Sequence, residues 1–82
     1  MSNVDIYLNS MEDVIDFVKC AGRHPYDMDL VHGNSMVDAK SVLGVLEMAV
    51  GKKVQLRIYE EQADDLLQEI KPFMLLEKTQ VL

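Results

Sequence analysis

The sequence predicts an α+β fold, an antiparallel sheet with helices packed on one face. Two observations point there. The apolar period alternates between two and about 3.6 along the chain, in the order β-α-β-β-α-β-α. Each strand-like run also has one apolar and one polar face, as in a sheet covered on one side only. The 82 residues make one domain, 1–82, with room for one core.

Val4, Ile6 and Leu8 alternate with Asp5, Tyr7 and Asn9 as a half-buried first strand. The period then lengthens. Met11, Val14, Ile15, Phe17, Val18 and Ala21 share one broad helical face, with Glu12, Asp13, Asp16 and Lys19 opposite or flanking. Ser10, followed three residues later by Asp13, resembles a capping box. Glu12 and Asp13 suit the positive end of the helix dipole, and Lys19 and Arg23 the negative end. Gly22 marks the stop, with Pro25 just beyond. Tyr26, Met28, Leu30 and His32 alternate as a second strand. His32-Gly33-Asn34-Ser35 is turn chemistry, and Met36 and Val37 make a short third strand.

The next segment has a different character. Ser41 has the position of a helix N-cap, and Val42-Leu43-Gly44-Val45-Leu46 follows with no charged face. A short helix that is apolar on most sides must be buried or must present part of itself to a partner. Val45 and Ala49 are expected to face the sheet, while Val42, Leu43 and Leu46 turn outward as a docking patch. Gly51 ends this helix. Val54, Leu56 and Ile58 alternate as a fourth strand. Ala63, Leu66, Leu67 and Ile70, extended by Phe73 or Met74, form the inner stripe of a last helix, which Pro72 kinks or ends.

The net charge of −6 disfavours nucleic acid and anionic membranes as partners. Cys20 is the single cysteine, so no internal disulfide forms, which suits a reducing, cytoplasmic setting. The first residues lack a signal-peptide pattern, and no run approaches the ~20 apolar residues of a membrane span. The six methionines read mainly as adaptable core filling.

The element order, the length, and the residues Asp38-Ala39-Lys40-Ser41-Val42-Leu43-Gly44-Val45-Leu46 followed by Gly51-Lys52-Lys53-Val54 resemble the HPr family. These are the small phosphocarriers of the bacterial phosphoenolpyruvate:sugar phosphotransferase system. The resemblance covers nearly the whole chain, by identity around Ser41 and by pattern in the N-terminal half. It implies an open-faced β-sandwich, a four-stranded antiparallel sheet under three helices. It also implies two phosphorylatable positions. One is an active-site histidine at the start of the first helix, in a His-Ala-Arg-Pro-like motif. The other is a serine capping the second helix, the target of a dedicated HPr kinase in many Gram-positive bacteria.

Ser41 matches that serine, but the histidine motif has no match. Its position falls on Ser10, in Ser10-Met11-Glu12-Asp13. A hydroxyl without an adjacent base is a poor nucleophile at pH 7. Glu12 replaces the arginine that would hold a phosphate bidentately. At roughly 5 Å, Glu12 and Asp13 each cost a bound phosphate on the order of a kcal/mol. Ser10 therefore reads as a plain N-cap.

His24, in Arg23-His24-Pro25, follows the first helix, where carbonyl ends suit an imidazolium and not a phosphate. His24 and His32 have no Cys or carboxylate partner at recognisable ligand spacing, so no metal site is expected. Cys20 reads as a small residue near the core, and Asp64, Asp65 and Glu69 as a solvated helix face.

The chain is accordingly expected to be an HPr-like protein that is not an enzyme and needs no cofactor. The expected role is regulatory or protein-binding, with no catalytic residue, a regulatory phosphorylation site at Ser41 and partner contacts at Val42, Leu43 and Leu46. Partners would be proteins of the phosphotransferase system, an HPr kinase or a transcription regulator. The alternatives are a divergent phosphocarrier using another residue, or an HPr-fold interaction module unrelated to sugar transport.

Overall fold

Strand β1, Ser2–Tyr7, is an edge of the sheet and pairs with β4, Lys53–Ile58. β4 also pairs with β2, Met28–His32, and β2 with β3, Ser35–Asp38. The sheet order is β1-β4-β2-β3, and every pairing is antiparallel. This is a computed structural model, and it describes residues 1–75.

Register follows the alternation in the sequence. Ile6 lies opposite Val54, and Val4 and Leu30 flank Leu56 from either side. These side chains share one face. Ile6, Leu30, Val54, Leu56 and Ile58 are buried there, because a one-residue slip would turn them all to solvent. The β2–β3 turn pairs His32 with Ser35, so it has two residues, and Gly33 takes the left-handed conformation (φ 60°) that its first position requires.

Three α-helices supply the other half of the core: α1, Met11–Gly22; α2, Val42–Ala49; and α3, Asp64–Glu69. Val14, Phe17, Val18, Ala21, Val45, Ala49, Leu66 and Ile70 join the sheet's apolar face in one cluster. A short 3₁₀ turn, Lys71–Phe73, follows α3 with Pro72 in its first turn, so the proline ends the α-helix as its ring requires. Phe73 then meets Phe17 edge to face, with centroids 5.9 Å apart. Beyond it, Met74 bridges to Ile6 and the Leu75 N–H donates to the Asp5 carbonyl at 2.9 Å. The end of the expected domain, residues 76–82, lies outside the described part.

The fold agrees with the expected open-faced sandwich, with local corrections. Met11 and Ile15 were expected on the inner face of α1 but are 60% and 38% exposed. At 100° per residue they fall at the rim of the arc centred on Val14, Phe17 and Ala21. Cys20, at the opposite rim, is buried because α3 packs on that side. Gly22 does not take a left-handed stop. Instead Arg23 and His24 donate to the carbonyls of Cys20 and Ala21, tightening the last turn. Strand β2 starts at Met28 instead of Tyr26, whose ring stacks on His24.

Candidate functional site

Both helix starts named in the sequence analysis are capped by serine. At α1, Ser10 is extended (φ −148°, ψ 172°) and its Oγ accepts from the Asp13 N–H at 3.2 Å. The Asp13 carboxylate in turn accepts from the Asn9 N–H at 3.0 Å. Two backbone donors that could have faced an anion are thus already engaged. Glu12 adds a second negative charge to the same turn.

At α2, the Ser41 Oγ accepts from the Gly44 N–H at 3.3 Å, and Ser41 is half-buried. Asp38 builds the approach: its side chain accepts from the Lys40 N–H at 2.9 Å and its carbonyl from the Ser41 N–H at 3.0 Å. The first turn of α2 lies close to β3, and a Cβ on Gly44 would stand 3.3 Å from both Ser41 Oγ and Val37 Cβ. Glycine is what permits this approach. Val42 and Leu43 are 41% and 74% exposed. Leu46 departs from the expected outward patch: it is half-buried and packs against the core. One helical turn beyond Val42, it turns partly inward instead of facing solvent. The Lys40 ammonium does not lean towards Ser41; it donates to the His24 carbonyl at 2.7 Å.

The far end of α1 holds a cluster that the sequence did not reveal. His24 is 92% buried. Its Nε2 lies 3.1 Å from Glu69 Oε1 and its Nδ1 lies 3.5 Å from Asp65 Oδ2. The Cys20 Sγ donates to the same Glu69 oxygen at 3.3 Å, and the Arg23 guanidinium reaches it at 3.3 Å. The Tyr26 hydroxyl donates to Asp65 at 3.0 Å while its ring stacks on the imidazole.

These contacts shift the ionisations. Burial, with the Glu69 bond adding to it, pushes the Cys20 thiol up to about 11. The His24 and Cys20 hydrogen bonds hold Glu69 below the usual carboxylate value, and the Tyr26 hydroxyl and Leu66 N–H do the same for Asp65. Donating its proton to the Asp65 carboxylate holds the Tyr26 hydroxyl above its ordinary value. Asp65 and Glu69 are therefore not simply a solvated face, and His24 does have Cys and carboxylate partners. Cys20 and His24 stand four residues apart across a tightened helix end, the one sequence signal of the cluster. Glu69 comes from another helix, which spacing along the chain does not show.

Sheet order and a one-sided helix layer define the open-faced β-sandwich class of small α+β proteins. Solved structures of that class superpose well. HPr-C-His from Thermoanaerobacter tengcongensis has a TM-score of 0.72 at 19% identity, covering 88% of this chain and 89% of that one. HPr from Bacillus anthracis str. Ames has a TM-score of 0.69 at 16% identity, covering 90% and 96%. The Bacillus subtilis catabolite repression containing protein Crh has a TM-score of 0.62 at 25% identity, covering 87% and 88%. No curated protein matches the sequence significantly. Residues 14–75, however, match the family described as the PTS HPr component phosphorylation site.

The chain belongs to the PTS HPr family. Members are phosphocarriers, not catalysts, and work through contacts with phosphotransferase-system proteins and kinases. The matched residues include Ser41, Val42, Leu43 and Leu46, whereas Ser10 to Asp13 precede them. Among the described residues, no helix is long and apolar enough to cross a membrane.

Proposed function

We propose that this chain is a non-catalytic, regulatory member of the HPr family, one that binds proteins of the sugar phosphotransferase system or their regulators without carrying phosphate on histidine. The observation that carries the reading is the closed start of α1. Ser10, aligned with the active-site histidine, is a cap whose Oγ is engaged by Asp13, and the Asp13 carboxylate occupies the Asn9 N–H. An incoming phosphoryl group there would meet two carboxylates and no arginine. His24 does not replace the missing histidine: its buried ring faces carboxylates from both nitrogens, which would repel a phosphate.

Ser41 is the regulatory position of this reading. Its hydroxyl stands at the positive end of α2, where a phosphate gains from the dipole and from free N–H groups. An HPr kinase bringing Ser41 into its active site must also cover the neighbouring exposed Val42 and Leu43, with Leu46 behind them. The likeness to Crh, a catabolite repression protein by description, supports regulation over transport.

The test has two arms. With the general phosphotransfer enzyme and labelled phosphoenolpyruvate, the chain is expected to stay unlabelled; stoichiometric acid-labile phosphate would overturn the reading in favour of a divergent phosphocarrier. With HPr kinase and ATP, mass spectrometry is expected to find one phosphate at Ser41. No phosphorylation would instead favour an interaction module unrelated to sugar transport.

A further inference from the structure

We propose that Cys20 Sγ, His24 Nε2 and Glu69 form a binding site for one zinc ion, clasping the end of α1 to the end of α3. The three side chains come from two elements. Cys20 and His24 are brought to one side by the i to i+3 turn that closes α1, and Glu69 is the last residue of α3. One donor atom from each lies within 4.8 Å of the others, and Glu69 Oε1 is 3.3 Å from Sγ and 3.1 Å from Nε2. Zinc bond lengths of 2.0–2.3 Å in a tetrahedron place donor atoms roughly 3.3–3.7 Å apart, so small side-chain shifts suffice.

The donor set selects the class of ion. Thiolate with imidazole and one carboxylate suits zinc, while magnesium and calcium prefer all-oxygen shells. Three protein ligands leave a fourth position for water or a further donor.

A second, independent observation concerns the other ring nitrogen. Metal-bound histidines usually turn their free N–H to a carboxylate that fixes tautomer and ring plane. Here His24 Nδ1 faces Asp65 at 3.5 Å. Asp65 is itself held by the Tyr26 hydroxyl at 3.0 Å and the Leu66 N–H at 2.9 Å. The Tyr26 ring lies nearly parallel to the imidazole, 14° between planes. The stacked Tyr26 ring and the nearby Asp65 carboxylate set the side of the imidazole that Nε2 turns to Cys20 and Glu69.

In the metal-free protein, protons join these groups. The thiol, the imidazole and Arg23 all converge on one Glu69 oxygen. On zinc binding the thiol proton, and any proton shared by His24 and Glu69, passes to solvent. Arg23, 62% exposed in its side chain, swings clear. The rival reading of the cluster is a proton-held clasp with no ion.

The experiment uses the untagged full chain after treatment with chelator. Titration with Co²⁺ is expected to give one equivalent bound, with thiolate-to-cobalt charge-transfer absorption and the visible bands of a tetrahedral ion. Zn²⁺ should displace the cobalt and raise the melting temperature. Cys20→Ser is expected to abolish the charge-transfer absorption, and Cys20→Ser, His24→Asn and Glu69→Gln each to weaken Zn²⁺ at least tenfold, with exposed Glu61→Gln unchanged. Asp65→Asn should keep the absorption while weakening Zn²⁺ by about 10–100-fold. Absence of thiolate-to-cobalt absorption in the unmodified chain overturns the proposal, and that measurement needs no variant to fold. Zn²⁺ affinity in Cys20→Ser within threefold of the unmodified chain also overturns it.

Discussion

Asp13 and Ser10 close the start of α1 on each other: the Asp13 N–H donates to Ser10 Oγ at 3.2 Å while the Asp13 carboxylate reaches back to the Asn9 N–H at 3.0 Å. The cap and its reciprocal acid use the donors that would otherwise welcome an anion. Stability and phosphotransfer should therefore separate cleanly at this turn. Ser10→Ala is expected to cost about 1 kcal/mol of stability through the lost cap, read as a lower melting temperature. It should leave phosphotransfer from phosphoenolpyruvate at background, as in the unmodified chain.

At α2 the proposed function gives the capping serine a second role. Ser41→Ala should remove the kinase-dependent phosphate and also cost about 1 kcal/mol, because the Gly44 N–H loses its acceptor. Phosphorylated Ser41 should keep the far-ultraviolet circular dichroism of the unmodified chain, since an N-terminal phosphate is favoured by the dipole. Unfolding on phosphorylation would contradict this.

Leu43 and Leu46 should respond differently. Leu43 is 74% exposed, so Leu43→Asp is expected to change stability by about 0.5 kcal/mol or less while slowing phosphorylation of Ser41 by HPr kinase at least tenfold. Leu46 packs against the core, and Leu46→Ala should cost on the order of 1–2 kcal/mol, below the ~2–5 of a fully buried leucine. Equal kinase rates for Leu43→Asp and the unmodified chain would remove Leu43 from the docking surface.

Gly44 should resist enlargement. Alanine would gain up to about 1 kcal/mol of helix propensity, but its Cβ would press on Val37 Cβ, a branched side chain on a strand. Gly44→Val, which adds branching to that contact, is expected to lower the melting temperature and weaken the Ser41 cap. An unchanged melting temperature would show that β3 yields easily.

In metal-free protein, acid should loosen α3 from α1. The folded state holds Glu69 and Asp65 below their ordinary values, through His24 and Cys20 for the first and Tyr26 and Leu66 for the second. The stability they contribute is present above the unfolded carboxylate range near 4 and is lost as pH falls through the lowered folded values. Arg23 faces Glu69 as well. Glu69→Gln should therefore flatten the slope of stability against pH on the acid side, measured by urea unfolding. An unaltered slope would count against the clasp.

Much of this was readable from the chain, for local reasons. Ser10 and Ser41 cap their helices because capping depends on residues three apart. The strands were legible because Val54, Leu56 and Ile58 alternate on one buried face. The candidate docking helix was legible as an apolar run with no charged side, yet the half-burial of Leu46 was not, since it depends on how the helix is turned against the core. The cluster around His24 was hidden but for the spacing of Cys20 and His24. Its carboxylates come from α3, and on that helix alone Asp65 and Glu69 look like any solvated acids. Met11 and Ile15 misled in the opposite sense: they fit the apolar period, but the sheet covers a narrower arc than the period allows.

The sheet order also dictates when the molecule can be completed. Among the described residues, β1 pairs with no strand but β4, Ser2 with Ile58 and Tyr7 with Lys53. On the ribosome the first strand made must therefore wait, its hydrogen-bonding edge without this partner, until β4 has emerged. The β2–β3 hairpin and the capped helices close over short distances, whereas this pairing closes the stretch from Ser2 to Ile58 into a loop. The start of the chain is thus held in the sheet by a strand made long after it, with α3 and the contact of Met74 with Ile6 still to follow.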